Sequence, residues 1–194
     1  MAKKDDKKDK ESKFAYKKKS AWEILSKEKI KKSFDFCEDY KKFLDLAKTE
    51  REAVEYINNK AKKSKKKIII NRGKEAAIIV PGKKPITHGL KIVISHIDSP
   101  RLDLKQIPLY EEGSSNVALF ETHYYGGIKK FHWVVIPLAL HGVVFKKDGK
   151  KVTFSLGEKE SDPVFAVPDL LPHLSHKVQD TKKISEAITG ESLD

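Results

Sequence analysis

His96 and Asp98 stand two residues apart where the apolar, β-branched run Leu90 to Ser95 meets Pro100. In an extended backbone alternate side chains share a face, so the imidazole and the carboxylate converge if the extension persists to the proline. A neutral imidazole is a good zinc ligand, and a carboxylate beside it fixes its tautomer and raises its basicity. The carboxyl ends of strands in open α/β sheets are also where ligands collect. By spacing alone His-x-Asp is a weak signal, and an ordinary strand-end hydrogen bond is the favoured reading.

The other reactive side chains carry less. His88 precedes Gly89 in a loop, and His123, His132 and His141 sit in aromatic or apolar strand contexts that fit hydrogen-bonded structural histidines. His173 and His176 follow a segment punctuated by Pro163, Pro168 and Pro172. Tyr124-Tyr125-Gly126-Gly127 lacks the lysine and hydroxyl of a phosphate-binding loop. There is no Gly-x-Ser-x-Gly nucleophile elbow, and Cys37 lies inside a helical apolar stripe, where packing is the expected role.

The elements that must position these residues are readable in order. Ser20-Ala-Trp-Glu23 has capping-box spacing and predicts a helix to about Lys32. Phe36, Tyr40, Phe43, Leu44 and Ala47 then recur at helical steps, and these aromatics are expected in a core. Thr49-Glu-Arg-Glu52 opens a further helix with Ala53, Val54, Ile57 and Ala61 facing inward. After the lysine run Lys62 to Lys67 the period changes. Ile68 to Ile70 and Ala76 to Val80 predict a hairpin across Asn71-Arg72-Gly73. Leu90 to Ser95, apolar nearly throughout, predicts a strand buried on both faces. Asp148-Gly149 joins two further β-runs, Leu138 to Phe145 and Val152 to Leu156. Thr181 to Asp194 is polar, with no closing element expected.

Composition bounds the function. The chain has 194 residues, enough for one domain or two small ones, and 39% of them are hydrophobic, enough for a core. The net charge of +12 is concentrated in residues 1–67, which hold 23 basic and 13 acidic side chains. Residues 1–19 alternate lysine with acidic residues and bury too little to order themselves, so a disordered tail is expected there. That tail lacks arginine and regular aromatic interleaving, so nucleic acid is not the expected partner. A single cysteine excludes an internal disulfide and a cysteine-rich zinc site, and suits the cytoplasm, the expected location. The longest apolar run, Trp133 to Phe145, is interrupted by Pro137, His141 and Gly142 and falls short of the roughly 20 residues a membrane helix needs.

A longer string raises the standing of His96. Ser95-His96-Ile97-Asp98-Ser99-Pro100-Arg101, with Lys105 beyond it, resembles the His-x-Asp-Ser-Pro signature of the aspartyl aminopeptidases, a family of cocatalytic zinc exopeptidases. Tyr125-Gly126-Gly127-Ile128 and Trp133 look like that family's Tyr-Gly-Gly segment and the strand after it. Val167-Pro168-Asp169-Leu170-Leu171-Pro172-His173-Leu174 is similar to its Pro-x-Leu-x-x-His-Leu segment. Where the family often carries Asp-Arg after the tryptophan, this chain has Val135-Ile136. The matches run in order from about Thr49 to Leu174 and are closest to the bacterial branch.

The resemblance implies an α/β fold: the N-terminal part of a zinc-exopeptidase α/β sandwich, interrupted by an inserted, mostly β dimerisation domain. On that reading residues 20–105 begin the peptidase domain and residues 106–194 belong to the insertion. It implies His96 as a metal ligand, Asp98 as the catalytic carboxylate that orients a two-zinc centre, and His173 as a substrate-binding residue acting in a neighbouring subunit. Peptides are the implied substrates, a homo-oligomer the implied assembly, and an N-terminal, acidic residue the implied product. The family's other metal ligands and its glutamate base lie in a second half not present in these residues. One histidine and one aspartate cannot hold two zinc ions, so the expectation is a fragment of a metal-dependent aminopeptidase, inactive alone. The alternative expectation is a non-catalytic oligomerisation or binding module.

Overall fold

A computed structural model describes Tyr16 and residues 18–114 and 116–193. The tail expected over residues 1–19 falls almost entirely outside the described residues. The chain divides into two units, residues 1–44 and 45–194. In the first, Ser20 caps α1 (Ala21–Ile24) by accepting from the Trp22 amide at 3.3 Å. The helix predicted to Lys32 instead stops there, because Leu25 takes an extended conformation. Ser26 restarts it, accepting the Lys29 amide through its hydroxyl at the head of α2 (Lys27–Leu46). Phe36, Tyr40 and Leu44, expected in a core, are exposed, as is Cys37. Helical spacing aligns them on one face, and alignment alone buries nothing.

In the second unit, α3 (Glu50–Lys63) opens with the predicted capping box: the Glu52 amide donates to the Thr49 hydroxyl at 3.4 Å, and the Thr49 amide to the Glu52 carboxylate at 2.9 Å. Ala53, Val54 and Ala61 are buried as expected, with Ile57 half-buried. The lysine run then ends the helix. Lys65 sits at φ 52°, and the Lys66 amide reaches back to the Ala61 carbonyl, closing the last turn.

Among the described residues, six strands form three separate antiparallel hairpins. β1 (Lys67–Asn71) and β2 (Glu75–Ile79) turn at Arg72 and Gly73, both at positive φ, as the Asn-Arg-Gly signal predicted. β3 (Arg101–Glu112) pairs with β4 (Val117–Tyr125), with Arg101 opposite Tyr125 and a register shift between Leu104 and Leu109, where Pro108 has no amide to give. The expected domain boundary after Lys105 falls inside β3. β5 (Leu140–Phe145) and β6 (Lys151–Leu156) close over Asp148-Gly149, with Gly149 at φ 80°.

One helical turn ties the hairpins together. Glu50 pairs with Arg101 on β3 at 3.1 Å. Arg51 donates to the Arg72 carbonyl in the β1–β2 turn at 2.9 Å, and its guanidinium lies 5.4 Å from the centre of the Phe145 ring on β5. Glu52 meets His141 on β5 at 2.8 Å. Sequence-distant strands are thus gathered at the amino end of α3.

Two expectations fail here. Leu90 to Ser95 forms no ladder: each of the six strands pairs inside its own hairpin, and Val93 is 97% and Ile94 88% exposed. Conversely, the last residues do close a core. α5 (Ile184–Ala187) and a final 3-10 turn carry Ile188 and a fully buried Leu193 against Val134 and Val167, with Leu102 and Trp133 packed alongside. Two apolar side chains in a polar stretch suffice, because the Thr122 hydroxyl holds the Leu193 carbonyl at 2.8 Å.

Candidate metal centre

The run that carries His96 has no strand geometry, so convergence of His96 and Asp98 rests on side-chain contacts. His96 Nδ1 lies 3.1 Å from Asp98 Oδ1 and 3.1 Å from the Asp98 carbonyl oxygen. With Nδ1–H donating to these acceptors, the tautomer is set and the Nε2 lone pair points outward from a side chain that is 84% exposed. That is the arrangement a histidine ligand needs. Asp98 uses its other oxygen as well: the Tyr125 hydroxyl donates to Oδ2 at 2.8 Å. This bond, then the carboxylate's own backbone and His96, hold Asp98 below the usual carboxylate range, while the same bond pushes the Tyr125 hydroxyl up.

Tyr125 is itself held. Arg101 lies directly opposite it across the β3–β4 ladder and places its guanidinium 4.2 Å from the ring centroid. Arg101 also bonds Asp103 at 2.6 Å, Glu50 at 3.1 Å and the Ser99 carbonyl at 3.3 Å. Spacing could not reveal this layer. Tyr125 is 27 residues from Asp98, and only the hairpin register brings them together.

The donor set fits a metal at one point. His96 offers a free, correctly set nitrogen, and among the described residues no group of three or more His, Cys, Asp or Glu side chains is placed to hold an ion. His173 lies exposed on α4 (Pro172–Val178), and among the described residues no hydrogen bond or ion pair joins it to His96 or Asp98.

A second ionisable cluster lies away from this centre. His141 holds Glu52 through Nδ1 and Glu158 through Nε2, both at 2.8 Å, and its side chain is 11% exposed. Burial pushes its pKa down, but the two carboxylates outweigh it and the net shift is upward. Burial likewise pushes Glu52 up, and His141 and Thr49 reverse this to a net lowering. With both ring nitrogens engaged, His141 is a structural cross-link, as its strand context suggested.

The mixed α/β chain thus presents an outward imidazole nitrogen backed by a carboxylate. The family comparison is specific: residues 28–193 match the model of the M18 family, the aminopeptidase I zinc metalloproteases, and the chain belongs to that family. It is 46% identical over 191 residues to a probable M18 family aminopeptidase 1 of Borrelia garinii, covering 91% of this chain and 41% of that one. The corresponding protein of Clostridium acetobutylicum is 44% identical over 194 residues, with the same coverage. The crystal structure of an M18 aminopeptidase from Thermotoga maritima superposes with a TM-score of 0.81 at 41% identity, covering 92% of this chain and 41% of that one. The chain therefore spans about two fifths of the length of the relatives it matches.

Proposed function

We propose that this chain supplies the first metal-binding segment of a zinc-dependent aminopeptidase, which removes N-terminal residues, acidic ones preferred, from peptides in the cytoplasm. The observation that carries the reading is the His96–Asp98 contact, which sets one imidazole nitrogen free in a chain that the family model matches. His96 would bind one of two zinc ions and Asp98 would orient it. Bound zinc supplies a polarised scissile carbonyl and an activated water at neutral pH. The chain's own part is to hold His96 in one tautomer and keep Asp98 ionised beside it.

The finer parts of the proposal come from the family resemblance. Residues 20–105 begin the peptidase domain, and 106–194 form part of an inserted dimerisation domain that presents His173 to the substrate of a neighbouring subunit. A zinc centre needs three or four protein ligands, and among the described residues no three His, Cys, Asp or Glu side chains are placed together to hold an ion, so the 194-residue chain is proposed to be inactive by itself. The test compares the purified chain with a chimera continued by the matching remainder of the Thermotoga maritima relative, each supplied with zinc. Release of N-terminal residues from peptides by the chimera alone, fastest for Asp and Glu, is the expected result. Turnover by the 194-residue chain that disappears in His96→Ala would overturn the inactive-fragment part.

A further inference from the structure

We propose that Tyr125 is a positioning residue for the metal centre: its hydroxyl holds the Asp98 carboxylate in the orientation that, together with the Asp98 carbonyl, sets the His96 tautomer. The proposal rests on the reading of His96 as a ligand and extends it one layer outward. Asp98 lies two residues after His96 in a segment with no ladder to fix it, and the local backbone gives the carboxylate only its own amide as a partner. A carboxylate free to turn would offer Nδ1 either oxygen or neither. Here Oδ2 accepts from Tyr125 at 2.8 Å, which leaves Oδ1 facing His96 Nδ1 at 3.1 Å.

The tyrosine is a suitable anchor because it belongs to the hairpin, not to the irregular segment. It ends β4 directly opposite Arg101 at the start of β3, and the guanidinium 4.2 Å from its ring centroid fixes the ring plane. Arg101 is pinned in turn by Asp103 and by Glu50 in the first turn of α3. The backbone turns away at once after Tyr125: Gly126 is at φ 76°, and a Cβ there would lie 3.6 Å from Pro100. The order is thus helix end, arginine, tyrosine, aspartate, histidine, with each link a direct contact. The effect is pre-organisation, in which orientation is set before the metal arrives.

The experiment records the ring nitrogens of His96 by NMR in the metal-free 194-residue chain labelled with nitrogen-15 histidine, in three variants. Tyr125→Phe removes only the hydroxyl and keeps the ring under Arg101. Arg101→Lys keeps the hydroxyl and removes the planar guanidinium, and decides the matter if the first variant does not fold. Asp98→Ala removes the carboxylate itself. The proposal expects the His96 signals, characteristic of an Nδ1–H tautomer in the parent chain, to move toward averaged values in Tyr125→Phe and Arg101→Lys and furthest in Asp98→Ala. It also expects Tyr125→Phe to weaken zinc binding by the family-length chimera about 10-fold, in line with outer-layer partners of metal-bound histidines. Parent-like His96 signals in Tyr125→Phe, with averaged signals in Asp98→Ala, would overturn the role of Tyr125 and leave the His96–Asp98 pair standing. Unchanged signals in every variant would overturn both.

Discussion

Among single residues, His141 ties β5 to α3: it binds Glu52, 89 residues away, through one ring nitrogen and Glu158 through the other. That clamp has a defined pH window. His141 is raised, so its contribution is complete below about pH 6.5 and is lost as pH rises through its higher folded value. Glu52 is lowered, so its contribution is present above about pH 4.3 and is lost as pH falls through its lower folded value. His141→Ala should therefore cost roughly 1–3 kcal/mol near pH 6, and urea titrations across pH should show the difference from the parent shrinking above neutrality. Val135 makes a separate case. It is 71% exposed and its φ is 56°, a region hostile to β-branched residues. Val135→Asn should raise stability by about 1 kcal/mol, visible as a higher denaturation midpoint, and a lower midpoint would contradict the assigned strain. Of the proposed metal centre, the His96–Asp98 contact was legible because the two are two residues apart in a specific string. Tyr125 and Arg101 stood in matching motifs without roles, since their partnership is a consequence of strand register. Glu52 likewise read as a cap, and its second partner lies beyond any local signal.

Within elements, the β5–β6 hairpin offers a sharp test of packing. Gly142 faces Phe154 across the ladder, and a Cβ there would run into the Phe154 ring. The ring fills the space a side chain would take, so Gly142→Val, despite the better strand propensity of valine, should cost about 1–3 kcal/mol by overpacking. Adding Phe154→Ala should return part of that loss in a double-mutant cycle. Full additivity of the two losses would show that the ring does not occupy the site. Elements were legible where a local signal decides them. The Thr49–Glu52 box, the Asn-Arg-Gly turn and the Asp-Gly turn each satisfy their own backbone, and each formed where expected. Elements that need an outside partner were not. Leu90 to Ser95 has the composition of a buried strand, but composition reports the burial a sequence suits and cannot supply the neighbouring strand. Phe36, Tyr40 and Leu44 of α2 stay exposed for the same reason.

For the molecule as a whole, the pattern of burial and the family comparisons agree. A described core exists around Val134, Val167, Ile188 and Leu193, while the segment that carries His96 leaves large apolar side chains in water. The chain spans about two fifths of its relatives, and the proposed remaining metal ligands would come from the rest of such a protein. α3 then acquires a wider role: its first turn reaches all three described hairpins through Glu50, Arg51 and Glu52 and, by way of Arg101 and Tyr125, the proposed metal centre. All of this turns on His96 binding zinc. The zinc retained per chain by the family-length chimera after gel filtration, with and without His96→Ala, measures that binding. Loss of bound zinc and of aminopeptidase turnover together in the variant is the expected result. Retention of parent levels of both would contradict a ligand role for His96.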